Sequence, residues 1–211
     1  NLGIRVPFGF TVTTEACARF YDEGQKLWET LNEEISEHIV TLEEENHKKF
    51  GSVEDPLLVS VRSGAPISMP GMMDTILNLG LNDEAVVGLA NKTHNERFAY
   101  DSYRRFIQMF ADVAMGVDKN KFEDVLTAKK NEKGVENDTD LTAEDLKDVV
   151  DKYKIVYKEA LGEEFPQEPR KQLDAAITAV FASWNNERAI LYRKLNEIDD
   201  SMGTAVNVQT M

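Results

Sequence analysis

The apolar positions change their period several times along the chain, and those changes divide it. Residues 4–13, IRVPFGFTVT, set Pro7 and Gly9 before a short β-branched run, which predicts a turn followed by a strand. Thr13 or Thr14 then caps a helix that carries Cys17 and Phe20 and runs to about Tyr21, where Gly24 interrupts the pattern. Leu27, Leu31, Ile35, Ile39 and Leu42 follow at spacings of four, four, four and three, one apolar stripe on a second helix. Residues 57–62, LLVSVR, are short, β-branched and bounded by Pro56 and Gly64, the pattern of a central strand that ends on Arg62. Residues 76–79 read as a second short strand, closed by Gly80.

From about Asn82 the texture becomes helical and stays so through residues 83–161. Phe98, Tyr103, Phe106, Phe110 and Val113 fall on one side of a helix over 97–114. LTAED opens another, with Thr142 as N-cap and Asp145 three residues on. Leu146, Val149, Val150, Tyr153, Val156, Tyr157 and Leu161 form its apolar side, and Gly162 is its C-cap. The polar stretch NEKGVENDTD between these helices predicts a mobile loop. Pro166 and Pro169 mark a boundary. A last long helix carries Leu173, Ile177, Val180, Phe181 and Trp184, ERAILYRKLN continues helically, and TAVNVQTM alternates like a strand after the DDSMG turn. The fold class predicted is α+β: a small mixed sheet with helices over 1–82 and 168–211, interrupted by a helical insert over 83–167.

Charge and cysteine content narrow the function. Against 38 Asp and Glu stand 24 Lys and Arg, a net charge of −14, so there is no basic surplus for binding nucleic acid through its phosphates. A local basic pocket for a nucleotide remains compatible with that balance. One cysteine rules out a disulfide within the chain and points to a reducing compartment; Cys17 reads as a small buried residue. No run of about 18 apolar residues is present to span a membrane. Both ends read as interrupted, which predicts a piece of a longer protein. His38, His47 and His94 lack ligand-like spacing and have no setting for a nucleophile or general base.

The unusual chemistry lies in SVRSGAPISMPGMMDT, residues 60–75. An arginine at a strand end can hold phosphate through a bidentate, permanently charged guanidinium, or it can pair with one of the many acids. The loop after it can form a nest of backbone N–H groups around an anion, with Gly71 permitting close approach, Pro70 stiffening the entry and Asp74 and Thr75 setting the turn through local side-chain bonds. It can equally be an ordinary connection whose methionines fill a core. It is not a P-loop, since GxxxxGK[ST] occurs nowhere.

PLLVSVRSGAPISMPGMMDTILNLGLND resembles the nucleotide-binding domain of the pyruvate, phosphate dikinase family, as do VPFGFTVTTEAC, RFAYDSYRRFIQMF, GEEFPQEP and GTAVNVQTM, so that the likeness covers essentially the whole chain. Related dikinases share the Ser-Val-Arg-Ser start but have a more acidic loop. The resemblance implies an ATP-grasp fold that uses Mg2+ and ATP to phosphorylate a histidine on a separate swivelling domain. It thereby implies part of an enzyme that interconverts ATP, phosphate and pyruvate with AMP, pyrophosphate and phosphoenolpyruvate. It implies Arg62 as the catalytic arginine on the ATP phosphates, and Gly71, Met72, Met73, Asp74 and Thr75 as the ATP-contacting lid loop. Gln209 would lie beside the adenine. A GGKG segment upstream of Asn1, the magnesium ligands beyond Met211 and the phosphorylated histidine would all lie outside these residues, so the piece alone is expected to be inactive. The family further implies a homodimer formed through a C-terminal domain, and a cytoplasmic, plastid or microbody location. A phosphoenolpyruvate synthase-like dikinase and a non-catalytic helical interaction module are the alternatives.

Overall fold

The structure, a computed structural model, describes residues 6–211; residues 4 and 5 of the first predicted turn lie outside the described residues. Four strands form the main sheet: β1 (Gly9–Val12), β4 (Val59–Gly64), β5 (Thr75–Leu79) and β6 (Ala205–Thr210), in the spatial order β1-β6-β4-β5. Two further strands, β2 (Lys49–Phe50) and β3 (Pro56–Leu57), make a separate two-residue parallel ribbon. The main sheet is antiparallel throughout rather than mixed. The reason is β6: it returns from the far end of the chain and inserts between β1 and β4, running opposite to both.

Alternation along these strands sorts apolar from polar. Val59 and Val61 of β4, Ile76 of β5, and Val206 and Val208 of β6 are completely buried. Helices α1 (Thr14–Asp22) and α7 (Pro169–Ser183) pack against the sheet, α1 on β6 and α7 on β4, β5 and β6. Each such aliphatic side chain contributes about 1.5–3 kcal/mol when fully buried. In α2 (Glu29–Asn46) the stripe is Leu31, Ile35, Ile39 and Leu42; Leu27 precedes the helix, whose first residue follows Trp28. His47 and His94 occupy left-handed positions that end α2 and α3 (Ala85–Thr93), and His38 stacks on Phe10 with ring centroids 5.3 Å apart.

Between β5 and α7 run α3, α4 (Glu96–Met115), α5 (Asn120–Lys133) and α6 (Ala143–Leu161). Helices α4 and α6 pack together, and Phe165 sits among Tyr103, Phe106, Phe110 and Tyr157 at centroid distances of 5.4–6.2 Å. The predicted Thr142–Asp145 cap forms: the Asp145 N–H donates to the Thr142 hydroxyl at 3.2 Å and the Thr142 N–H donates to the Asp145 carboxylate at 3.1 Å. Phe98, predicted on the apolar side of α4, is 48% exposed: at 3.6 residues per turn it stands about 100° round the helix from the middle of the stripe of Tyr103, Phe106, Phe110 and Val113, while Ala99 beside it is completely buried.

The stretch predicted as a mobile loop is tied down. Its first residues complete α5, and its end is a 3-10 turn (Asp138–Asp140). Asp138 pairs with buried Arg104 at 2.8 Å and with Lys130 at 3.1 Å, while Arg97 donates to the Asp138 and Leu141 carbonyls. Local polarity hid these long-range partners.

One junction joins the helices to the sheet. Gln172 on α7 is completely buried; its amide donates to the Leu81 and Pro166 carbonyls at 2.9 and 2.8 Å and accepts from the Gly80 N–H at 3.1 Å. Asn82 caps α3 by accepting from the Glu84 and Ala85 N–H groups and donates to the Gln167 carbonyl.

Candidate functional site

Strand β4 does not stop at Arg62. It continues to Gly64, and Arg62 is a mid-sheet residue paired with Thr75 on one side and Asn207 on the other. Asn207 in turn pairs with Thr11 of β1. Residues directly opposite one another across strands project to the same face. Thr11, Asn207, Arg62 and Thr75 therefore form a polar row across all four strands, on the face opposite the valines. Gln209 lies on the same face as Asn207, two residues along β6, and donates to the Pro7 carbonyl at 3.2 Å.

Arg62 is exposed, and among the described residues no acid pairs with it. That is unusual company for a cation in a chain of net charge −14, where many other basic side chains are paired. The salt-bridge alternative for this arginine finds no partner among the described residues, and the side chain is exposed in the middle of a sheet.

The loop from Ala65 to Asp74 leaves β4 and returns on β5. Its turn follows from its sequence. The Met72 N–H donates to the Met69 carbonyl at 3.1 Å, and Pro70 and Gly71 are the two central residues. Gly71 has φ +73°, the positive value that the third position of a type II turn requires. A Cβ at Gly71 would meet nothing within 4 Å, so the glycine is there for its backbone angle and not because another group presses on it.

The methionines do pack, but in a small separate cluster. Met69 is buried with Trp184 and Ala189, and Met72 and Met73 lie against them. Helix α8 (Glu187–Leu195) supplies the other half of the clamp. Asn186, its N-cap, donates to the Met72 carbonyl at 3.2 Å; Arg188 donates to the same carbonyl at 3.2 Å and pairs with Asp74. Both backbone groups of Met72 are thus engaged within the fold. Asp74 and Thr75 were expected to set the turn locally; Asp74 instead bonds 114 residues away. Burial pushes the Asp74 carboxyl above its ordinary range, and Asp112 adds to this, while Arg188 opposes it.

Beneath the cluster, Arg193 is 1% exposed, lies 4.2 Å over the Trp184 ring, donates to the Trp184 carbonyl and pairs with Asp200 at 2.6 Å. Sequence reasoning missed Asn186, Arg188 and Arg193. The Asn-Glu-Arg start of α8 is a legible cap, but nothing local says that its side chains grip a loop more than a hundred residues earlier.

Between loop and sheet lies an open depression of about 460 Å³, lined in part by Ser63, Gly64, Met69, Gly71, Met73 and Thr75. Arg62 does not line it, but its chain neighbour Ser63 and its cross-strand partner Thr75 do. The one loop carboxylate is taken by Arg188, and among the described residues no group of three or more His, Cys, Asp or Glu is placed to hold a metal. The donors gathered here fit phosphate oxygens and do not fit a magnesium ion. Cys17 is buried against Thr204, and burial raises its thiol pKa, as befits a packing residue. Among the described residues no helix is long and apolar enough to cross a membrane.

Comparison with known proteins gives a consistent result. A family model described as pyruvate phosphate dikinase, AMP/ATP-binding domain, matches residues 26–211. The chain is 64% identical, over all 211 residues, to pyruvate, phosphate dikinase of Clostridium symbiosum, of which it covers 24%. It is 56% identical to the chloroplastic pyruvate, phosphate dikinase 1 of Arabidopsis thaliana, covering 22% of it, and 55% identical to the Giardia intestinalis enzyme, covering 24%. In each case the whole of this chain is matched, and it spans about a quarter of the relative's length.

Proposed function

The chain belongs to the pyruvate phosphate dikinase AMP/ATP-binding domain family, and from that premise we propose that Arg62 and the loop after it hold the phosphates of ATP in a pyruvate, phosphate dikinase. The observation that carries this reading is the guanidinium of Arg62, without an acidic partner among the described residues, in the middle of a polar sheet face that leads into a clamped glycine turn. Transfer of a phosphoryl group develops charge on the phosphate oxygens and asks of the protein positioning and positive donors more than covalent chemistry. Arg62 supplies the charge. Asn186 and Arg188 fix the turn at Met72, which leaves Gly71 presented at the rim of the depression, and Thr75 continues the polar row. Gln209 lies further along the same face, in the direction proposed for the adenine.

In this reading the fold is the first part of an ATP-grasp domain. Residues 1–82 and 168–211 form its α/β portion and residues 83–167 its helical insert, braced at Gln172 and Asn82. Magnesium would arrive with ATP on ligands from outside these residues and would neutralise charge on the phosphates. The acceptor would be a histidine on another domain of the parent chain, and the net reaction would consume phosphate and pyruvate. A parental homodimer and a cytoplasmic or plastid setting complete the proposal. A phosphoenolpyruvate synthase-like enzyme or a non-catalytic module is not favoured, since the relatives matched along the full chain are named pyruvate, phosphate dikinase.

The test is ATP-dependent phosphorylation of the full-length parent enzyme, native against Arg62→Ala at equal folded fraction. Loss of a donor aimed at developing charge costs on the order of 10²-fold or more in rate. Labelling within a few-fold of native would place the phosphates elsewhere.

A further inference from the structure

Asn207 occupies the centre of the polar row, opposite Arg62 on β4 and opposite Thr11 on β1. Its side chain is oriented from both sides. The Thr11 hydroxyl donates to Asn207 Oδ1 at 2.7 Å. With the acceptor held toward β1, the amide NH2 turns toward β4. There it lies over Gly64: a Cβ built on Gly64 would stand 2.7 Å from Asn207 Nδ2, closer than to any other atom. Gly64 is an ordinary strand residue, two positions after Arg62 on the same face, and it lines the depression beside the loop. The missing side chain at position 64 makes the room that the amide fills. Among the described residues Nδ2 donates to no acceptor.

We infer that Asn207 is a second phosphate-binding residue of this site, aimed by the Thr11 hydroxyl and accommodated by Gly64. This rests on the reading that ATP phosphates lie on the Arg62 face. A spent acceptor and two open N–H donors beside a guanidinium make an arrangement selective for anionic oxygen. A neutral donor there adds a directed hydrogen bond where a second cation would repel Arg62. The two roles differ accordingly: Arg62 supplies charge, and Asn207 fixes which way a phosphate oxygen turns between β4 and β6. Thr11 acts only through Asn207 and is a positioning residue.

The experiment is calorimetric titration of the full-length enzyme with ATP and with adenosine, for the native protein and for Asn207→Asp, Thr11→Val, Gly64→Ala and Arg62→Ala. Asn207→Asp replaces donors with a repelling oxygen at nearly unchanged volume, and is expected to weaken ATP roughly ten- to a hundredfold, the range for a hydrogen bond to a charged partner. Adenosine affinity is expected to stay within about twofold. Thr11→Val keeps the shape and removes the aim, and Gly64→Ala pushes the amide aside; both are expected to weaken ATP by a smaller factor in the same direction. If Arg62→Ala weakens ATP while Asn207→Asp leaves it unchanged, Asn207 has no such role. Equal losses for ATP and adenosine would make it a purely structural residue and overturn the assignment. If Arg62→Ala itself leaves ATP binding intact, the underlying site reading fails first, and the inference falls with it.

Discussion

Replacing Gln172 by methionine would test how the helices are fastened to the sheet. Methionine keeps nearly the same length and volume, so the packing around α7 survives and the loss is almost wholly polar. Three bonds disappear: those to the Leu81 carbonyl, the Pro166 carbonyl and the Gly80 N–H, at 2.9, 2.8 and 3.1 Å. Gln172 is 0% exposed, which leaves water little access to the orphaned groups. Each buried group left unsatisfied costs about 1–3 kcal/mol, and partial relaxation of the 80–82 turn brings the expected total to roughly 3–6 kcal/mol. Against a domain stability of about 5–15 kcal/mol, that is a large fraction. The measurement is urea unfolding of the 211-residue chain, native against Gln172→Met, with the denaturant slope checked for constancy. The midpoint is expected to fall by about 1–3 M at an ordinary slope. A loss under about 1 kcal/mol would mean that water or an alternative partner satisfies the three groups, and the junction would not be the fastening described.

Two smaller perturbations probe a charge and a turn. Asp145 is held down to about 2, from an ordinary 3.8, mainly by its hydrogen bond from Lys133 and then by Thr142. A carboxylate whose folded pKa is lowered stabilises the fold above its unfolded value and loses that contribution as pH falls. The stability margin of native protein over Asp145→Asn is therefore expected in full above about pH 4 and gone near pH 2, read by urea midpoints across that range; a margin unchanged down to pH 2 would refute the ion pair's contribution. Gly71→Ala places a side chain at φ +73° in open space, so only backbone strain of about 1 kcal/mol is expected. The global unfolding midpoint should hardly move while hydrogen exchange at the Met72 amide quickens; unchanged exchange would show that the turn does not depend on the glycine.

What was legible before the fold was known is local. Period-two alternation in TAVNVQTM and the β-branched run before Gly64 predict β6 and β4, because a strand facing a core on one side must place its valines on that side. The Thr142–Asp145 cap and the Gly162 terminus follow from side chains that reach backbone groups within one turn. Pro70-Gly71 makes its own turn through φ, a role the sequence pattern assigns to Asp74 and Thr75. Where reading failed, the deciding partner was distant in sequence. The polar NEKGVENDTD stretch looked free until Arg97, Arg104 and Lys130 were seen to fasten it.

By itself, then, the sequence determined where the strands of the main sheet and the long helices lie, since those choices are made by dihedral preferences and by neighbours a few residues away. The tertiary structure alone decided which side chains share a site. Thr11, Arg62 and Asn207 come from the two ends and the first third of the chain, and they form one row only because β6 returns to lie between β1 and β4 with a fixed register. The same is true of charge. Composition counts Arg62 as one of 24 basic residues, and only the fold shows which of them keep an acid within reach. Pairing depends on distance in space, and strand registers set that distance across nearly two hundred residues.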